Sequence, residues 1–288
     1  MPADNFIIKH WQAELQVFQQ NFLLLKEQIN AEPVHDLRVA IKKLRSYLNL
    51  YGVLFKEKNF KDAFAKTKEL FSVLGRHRNI EISKQLLLSL TGNNKSSLNS
   101  VFIYLQLLEE QVIPYCRQSL LQYEKTGLDE LTNQIEQDIQ TLDIDETKNK
   151  VKDIIISSLE NVKHDLKHFE KKSHLIRKSL KDIFYWLKIL PEEFVLTKSR
   201  IKTIDKILDH LGNIQDHEVM ITNLKNYRKT ILSNALVEFD VVKKIEANAT
   251  AKKDGFLKKA DKMTEELLSK IHKKNKSDKS RLSAPGGS

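Results

Sequence analysis

The most chemically suggestive residues in the chain are four cations at regular spacing. His35, Arg38, Lys42 and Arg45 follow one another at intervals of three, four and three residues. On an α-helix, where each residue turns about 100°, that spacing draws a single stripe. Arginine offers a fork of donors that matches phosphate oxygens, and lysine adds a compact point charge. A helix that only has to be soluble mixes acids into such a line, to gain i,i+4 pairs and avoid self-repulsion. Here only Asp36 lies nearby. The unrelieved repulsion points to an anionic partner.

A second stripe lies further on. His174, Arg177, Lys181 and Lys188, with Tyr185 among them, share the His-x-x-Arg-x-x-x-Lys core of the first. A second pair of segments repeats as well. Leu74-Gly75-Arg76-His77-Arg78-Asn79 and Leu211-Gly212-Asn213-Ile214-Gln215-Asp216 share a layout. The offsets are 139 residues (174 − 35) and 137 (212 − 75). Two landmarks repeated in order at nearly one offset imply an internal duplication. A single stripe is most simply a solvated face beside a core. Two copies, each led by a histidine, favour a ligand. Both histidines are expected in the first turn of their helices, where free N–H groups and the helix dipole attract anions.

Apolar residues supply the elements that carry these stripes. Val34, Leu37, Ile41, Leu44, Leu48 and Tyr51 recur at helical spacing beside the first stripe, and Ile176, Leu180, Ile183, Leu187 and Leu190 beside the second. Trp11, Leu15, Phe18, Phe22, Leu25 and Ile29 predict a helix from about residue 5. Pro33 suits the first turn of the next one. Gly75 and Gly212 are expected to end helices in the left-handed conformation, with Asn79 and Asp216 capping the helices that follow. Thr91-Gly92-Asn93-Asn94 is a break. Helices are predicted over about 97–123, with Pro114 inside, and about 128–142. The acidic stretch 143–147 is expected to join the two copies. Val151 to Phe169 opens the second half, Ser173 caps the second basic helix and Pro191 ends it. A helix to about residue 233 and another over about 235–271, interrupted near Gly255, complete the reading. No strand is predicted. The fold class is all-α: two repeated antiparallel helical bundles related by pseudo-twofold symmetry, covering residues 5–145 and 146–272. Residues 273–288 are expected to form a disordered basic tail.

The composition agrees with long helices, since glycine and proline number only 8 and 5 in 288 residues. One cysteine, Cys116, excludes an intramolecular disulfide and a cysteine-rich zinc site. No apolar run approaches the ~20 residues of a membrane span, so no membrane partner is expected and the setting is read as cytoplasmic. A net charge of +10 and a pI near 9.3 favour polyanions. His164 and His168 stand four residues apart, but without a third ligand they read as exposed histidines, and no metal site is assigned. No P-loop, HExxH or glycine-rich dinucleotide turn is present. No catalytic residue or cofactor is assigned.

The sequence resembles the CHAD domain, the conserved histidine α-helical domain. The residues carrying the resemblance are Val34-His35-Asp36-Leu37-Arg38-Val39 with Ile41, Lys42, Leu44 and Arg45, then Leu74-Gly75 with Arg78. In the second copy they are His174, Arg177, Lys181 and Tyr185, then Leu211-Gly212 and Asp216. The resemblance implies paired helical bundles and binding of inorganic polyphosphate on a basic central surface. It departs at Asn79, where the family usually has Asp. The expected site comprises His35, Arg38, Lys42, Arg45, Arg78, His174, Arg177, Lys181 and Lys188. One rival partner is nucleic acid, although only Tyr47 and Tyr185 offer aromatic rings within the stripes for base stacking. A metal-dependent phosphohydrolase is the other rival. The oligomeric state is open.

Overall fold

A computed structural model describes residues 5–55, 60–91, 98–230 and 237–282. All the regular structure among them is helical. In chain order the helices are α1 (Phe6–Glu27), α2 (Ala31–Leu54), α3 (Ala65–Thr91), α4 (Asn99–Gln122), α5 (Thr126–Ile139), α6 (Ile144–Asp165), α7 (Phe169–Ile189), α8 (Lys198–Thr230) and α9 (Val237–Leu282). A short 3₁₀ turn, Leu166–His168, separates α6 from α7. No helix among the described residues is long and apolar enough to cross a membrane.

Helix α2 sits at the middle of the packing. Its predicted apolar line, Val34, Leu37, Ile41, Leu44, Leu48 and Tyr51, is buried throughout, as is the line Ile176, Leu180, Ile183, Leu187 and Leu190 from α7. The two helices pack against each other, and α3 packs against α8. The indole N–H of Trp186 donates to the Ser46 carbonyl at 2.9 Å, and Asn49 Nδ2 donates to Asp182 at 3.0 Å. Rising numbers on α2 thus meet falling numbers on α7, so the pair is antiparallel. Helix α1 covers α2 from the other side, where Lys43 Nζ lies 2.7 Å from Glu14. The main core draws on α1, α2, α6 and α7 together with parts of α3, α8 and α9. A second cluster, including Leu87, Val101, Leu224, Tyr227 and Val242, binds the far ends of α3 and α8 to α4 and α9. The two long helices α3 and α8 therefore run from one core into the other.

Several expected boundaries move. Gly75 and Gly212 do not end helices, and Asn79 and Asp216 cap nothing, because α3 and α8 run unbroken through them. Their i,i+4 spacing is one turn of a continuous helix rather than a stop and a start. The acidic stretch 143–147, where the two copies are expected to join, opens α6. Asp143 is the N-cap of α6 and accepts from the Glu146 N–H at 2.8 Å, with Asp145 and Glu146 in the dipole-favoured first turn. Ser173 lies inside α7, its hydroxyl donating to the Glu170 carbonyl. Gly255 does not interrupt α9, where a Cβ would meet only open space. The expected tail is helical through Leu282. Residues 273–282 contain neither glycine nor proline, and their lysines and arginine are good helix formers. The breaks expected at Gly92–Asn94 and around 233–235, and the end of the tail at 283–288, lie outside the described residues.

Leu44 is wholly buried where α2 meets its neighbours. Leu44→Ala is expected to lower the unfolding free energy by ~2–5 kcal/mol in a denaturant titration. A loss under ~1 kcal/mol would mean that this face does not carry the core.

Candidate functional site: a basic cavity between α2 and α7

Turning one residue along a helix moves the side chain from the buried line onto its flank. On α2 and α7 those flanks face one shared opening. Arg38, Lys42, Arg177 and Lys181 line both a cavity of about 410 Å³ and an adjoining one of about 350 Å³. His35 and Arg78 line the first; Arg45 and His174 line the second. Eight of the nine expected site residues are thereby brought together. The ninth, Lys188, is exposed further along α7, its ammonium 5.2 Å from the Phe184 ring, and lines neither cavity.

Arg38 is held most firmly. Its guanidinium lies 3.9 Å from the centroid of Phe71 and donates to the Phe71 carbonyl. A Cβ on Gly75 would stand 2.6 Å from Arg38 Nη1. Gly75 is therefore a glycine for the sake of the arginine against it, not for a turn. Gly212 has the same place opposite Arg177, with a looser 3.7 Å. One turn on from each glycine, Asn79 and Asp216 line the larger cavity.

The cations lack acidic partners. Among the described residues, Arg38, Lys42, Arg45, Arg78, Arg177 and Lys181 form no ion pair, whereas Lys43, adjacent in sequence but on the other flank, has Glu14. The Nε–H groups of Arg45 and Arg177 are buried with no hydrogen-bond acceptor. Buried donors in native structures are nearly always paired, with protein groups, ordered water or a bound ion. Burial, with Lys181, Arg38, Arg177 and Arg45 around it, pushes the Lys42 amine down to about 7. Burial with Arg177 and Arg45 lowers Lys181 to about 8, against the pull of Asp182. Burial beside Arg78 brings Arg38 to about 10. His35 is also lowered, by burial and then by Arg78.

Both chambers carry more cations than acids, but they differ in how far acids offset them. The smaller is lined by Arg38, Lys42, Arg45, Arg177, Lys178 and Lys181 against one acid, Asp182. The larger has an acidic wall from α8: Asp205, Asp209 and Asp216. Burial raises the Asp216 carboxyl above the usual range, opposed by Arg177, Arg78 and Lys42. Neither this wall nor Lys178 was among the expected site residues. Asp216 stands out in the repeated Leu-Gly layout but reads there as a cap, while Asp205, Asp209 and Lys178 carry no sequence signal beyond i,i+4 spacing and adjacency to Arg177.

Three further expectations change. His35 and His174 are the fifth and sixth residues of α2 and α7, so neither sits in a first turn among free N–H groups. Tyr47 and Tyr185 are buried, so neither offers a face for base stacking. Within Arg76-His77-Arg78 only Arg78 reaches the cavity; His77 turns inward, 3.1 Å from Glu109 of α4. His164 and His168 straddle the end of α6 and the 3₁₀ turn, and the described residues contain no group of three or more His, Cys, Asp and Glu able to hold a metal.

Comparison with known proteins adds the following. The family profile described as the CHAD domain matches residues 9–225. The crystal structure of the CHAD domain from the plant Ricinus communis matches with a TM-score of 0.71 and 17% identity, covering 93% of this chain and 90% of that one. At that identity the likeness is one of fold. No curated protein matches the sequence.

The glycines and lysines give two tests. Gly75→Ala gains up to ~1 kcal/mol of helix propensity but displaces the Arg38 guanidinium. It is expected to keep its melting temperature and lose polyanion affinity. Gly212→Ala, with room for its methyl, is expected to gain stability and keep affinity. Equal affinity losses would contradict the different clearances. For pH, Lys42 and Lys181 are partly neutral when the cavity is free, and a bound polyanion restores their protons. Binding then takes up protons, and affinity falls as pH climbs through about 7 and 8. Titrations with a long polyanion at about pH 6.5 and about 8.5 should show the fall, and a flat profile would count against a role for the amines.

Proposed function

This chain belongs to the CHAD domain family, and on that premise we propose that it binds inorganic polyphosphate in the cavity between α2 and α7. The observation that carries the proposal is the set of cations from both helices, unpaired and half-buried around one opening, with two buried arginine N–H groups awaiting acceptors. A linear phosphate chain supplies many acceptor oxygens and closely spaced negative charge. It is also thin enough to thread between side chains. Forked arginines take its oxygens, and the lysines neutralise the remainder. We read the two halves as copies related by a pseudo-twofold axis, which accounts for equivalent arginines, Arg38 and Arg177, facing equivalent glycines, Gly75 and Gly212. The acidic wall on α8 repels the chain and directs it along the Arg45–Lys178 side. The activity is binding rather than turnover, and the single cysteine supports a cytoplasmic setting.

Because both halves contribute to one surface, a long chain engages them together, the second contact forming at high effective concentration. Affinity is expected to rise with chain length until the cavity is spanned and then level off. Orthophosphate and diphosphate should compete poorly, and log K should fall linearly with log salt, by analogy with phosphate contacts on nucleic acids. Arg177→Glu should cost long-chain affinity although Arg38, Lys42 and Arg45 remain. Affinities for a graded series of chain lengths, on wild type and on this variant, test the shared surface. Length-independent binding, or normal binding by the variant, would overturn it. An assay for released orthophosphate, with and without divalent metal, checks the absence of turnover, which steady release would contradict.

A further inference from the structure

The cavity holds a second chemistry that anion binding does not use. Lys42 is the residue around which the cations converge. Arg38 and Arg45 flank it on its own helix, and Arg177 and Lys181 face it from α7. From α3, Phe71 lies beneath it, 5.8 Å from its ammonium, with Arg78 and Asn79 nearby. From α8 the facing carboxylate is Asp216, which forms no ion pair with it. Among the described residues the Lys42 amine has neither a hydrogen-bond partner nor an ion-pair partner. It opens onto both chambers. A compact amine in an anion-attracting cavity, with nothing to hold its proton, is placed as a nucleophile.

We propose that Lys42 is an acyl-acceptor site: a small acyl phosphate, bound through its phosphate by the guanidinium groups of the cavity, transfers its acyl group to Lys42 Nζ. The lone pair of the neutral amine attacks the carbonyl carbon, and a C–N bond forms. The bond from that carbon to the bridging phosphate oxygen breaks, and its electron pair leaves with the phosphate. The proton shed by nitrogen goes to the departing group, giving inorganic phosphate and an Nε-acyl lysine. Arg38 and Arg177 are placed to stabilise charge as it grows on the leaving phosphate. In the free cavity the same cations keep the amine largely unprotonated, and a small acyl phosphate, with about two charges against the surrounding cations, offsets less of that effect than a long polyanion does. An ordinary lysine is about 0.1% neutral near pH 7.4, whereas burial and the surrounding cations push the Lys42 amine down to about 7 in the free cavity, so a far larger share of it is neutral. Lys181 shares the cavity, but Asp182 beside it favours its charged form. The proposal rests on the reading of the cavity as a phosphate site. It adds a consequence: acylation removes a cation from the polyphosphate surface and fills space there, so acyl-phosphate supply is coupled to polyphosphate binding.

The test uses the full chain and acetyl phosphate at about pH 7.5, with site-resolved acetylation followed by peptide mass spectrometry. The exposed Lys206 and Lys225 serve as references. Lys42 is expected to be acetylated at least about tenfold faster than either, since far more of its amine is neutral. Long-chain polyphosphate should suppress the Lys42 reaction and leave the references unchanged. With uncharged N-acetoxysuccinimide the preference for Lys42 should shrink. Acetylation of Lys42 at the reference rate would overturn the proposal, as would an equal preference with the uncharged reagent. Polyphosphate affinity measured on the same preparation separates the two ideas. Binding without selective acetylation sinks the acyl-acceptor site and leaves polyphosphate binding standing. Selective acetylation by acetyl phosphate without polyphosphate binding does the reverse.

Discussion

The structure depends on like charges being held together. Two unit charges ~6 Å apart at an effective dielectric of ~20 repel by about 3 kcal/mol, and five such groups crowd the opening between α2 and α7. Asp182 and Asp216 relieve them only in part, and neither forms an ion pair with these groups. They are held by the faces behind them, where each fully buried leucine, isoleucine or valine contributes roughly 1.5–3 kcal/mol. Both apolar lines are buried along their full length, so the packing wins. The strain shows instead in the protons, with Lys42 and Lys181 losing their usual hold on charge. The polyanion proposed above would reverse that loss by placing negative charge beside the amines.

The same constraint gives the cavity its shape. Arg38 needs a surface to lie on, and Phe71 and Gly75 together provide it, one as a π face and the other as missing bulk. The acidic wall on α8 then sets a direction. Asp205, Asp209 and Asp216 face the larger chamber, while the smaller one is left almost wholly basic. A site of uniform charge would attract any anion equally on both sides. One with a repelling wall admits a narrow chain along a preferred track. Lys42, at the junction of the two chambers, senses both.

The elements that bury an apolar stripe were the legible ones. The faces of α2 and α7 follow directly from 3.6-residue periodicity, and the cation stripes follow from being one residue offset. Glycine was misread because sequence alone does not distinguish a glycine that turns the chain from one that receives a guanidinium. Gly75 and Gly212 do the second, and the continuity of α3 and α8 depends on packing against each other and against α4 and α9. Lys188 was grouped with the site because it continues a stripe, but it lies nearly four turns from His174 and past the opening. Lys178, Asp205 and Asp209 join the site through tertiary placement, which no local pattern encodes, whereas Asp216 stood out in the repeated layout and was read as a cap. The acidic stretch at 143–147 was read as the join between the copies, and its acids serve as the N-cap and first turn of α6.

The central claim is that this cavity selects a thin, densely charged chain rather than polyanions in general. Tyr47 and Tyr185 are buried, so a single strand finds little aromatic surface in the stripes on which to stack its bases. The direct measurement is a competition titration at fixed salt, in which labelled long-chain polyphosphate is displaced by DNA or RNA at matched total phosphate. Nucleic acid is expected to displace it only at a large excess. Displacement at equal phosphate concentration would show that the cavity reads charge alone, and would contradict the claim.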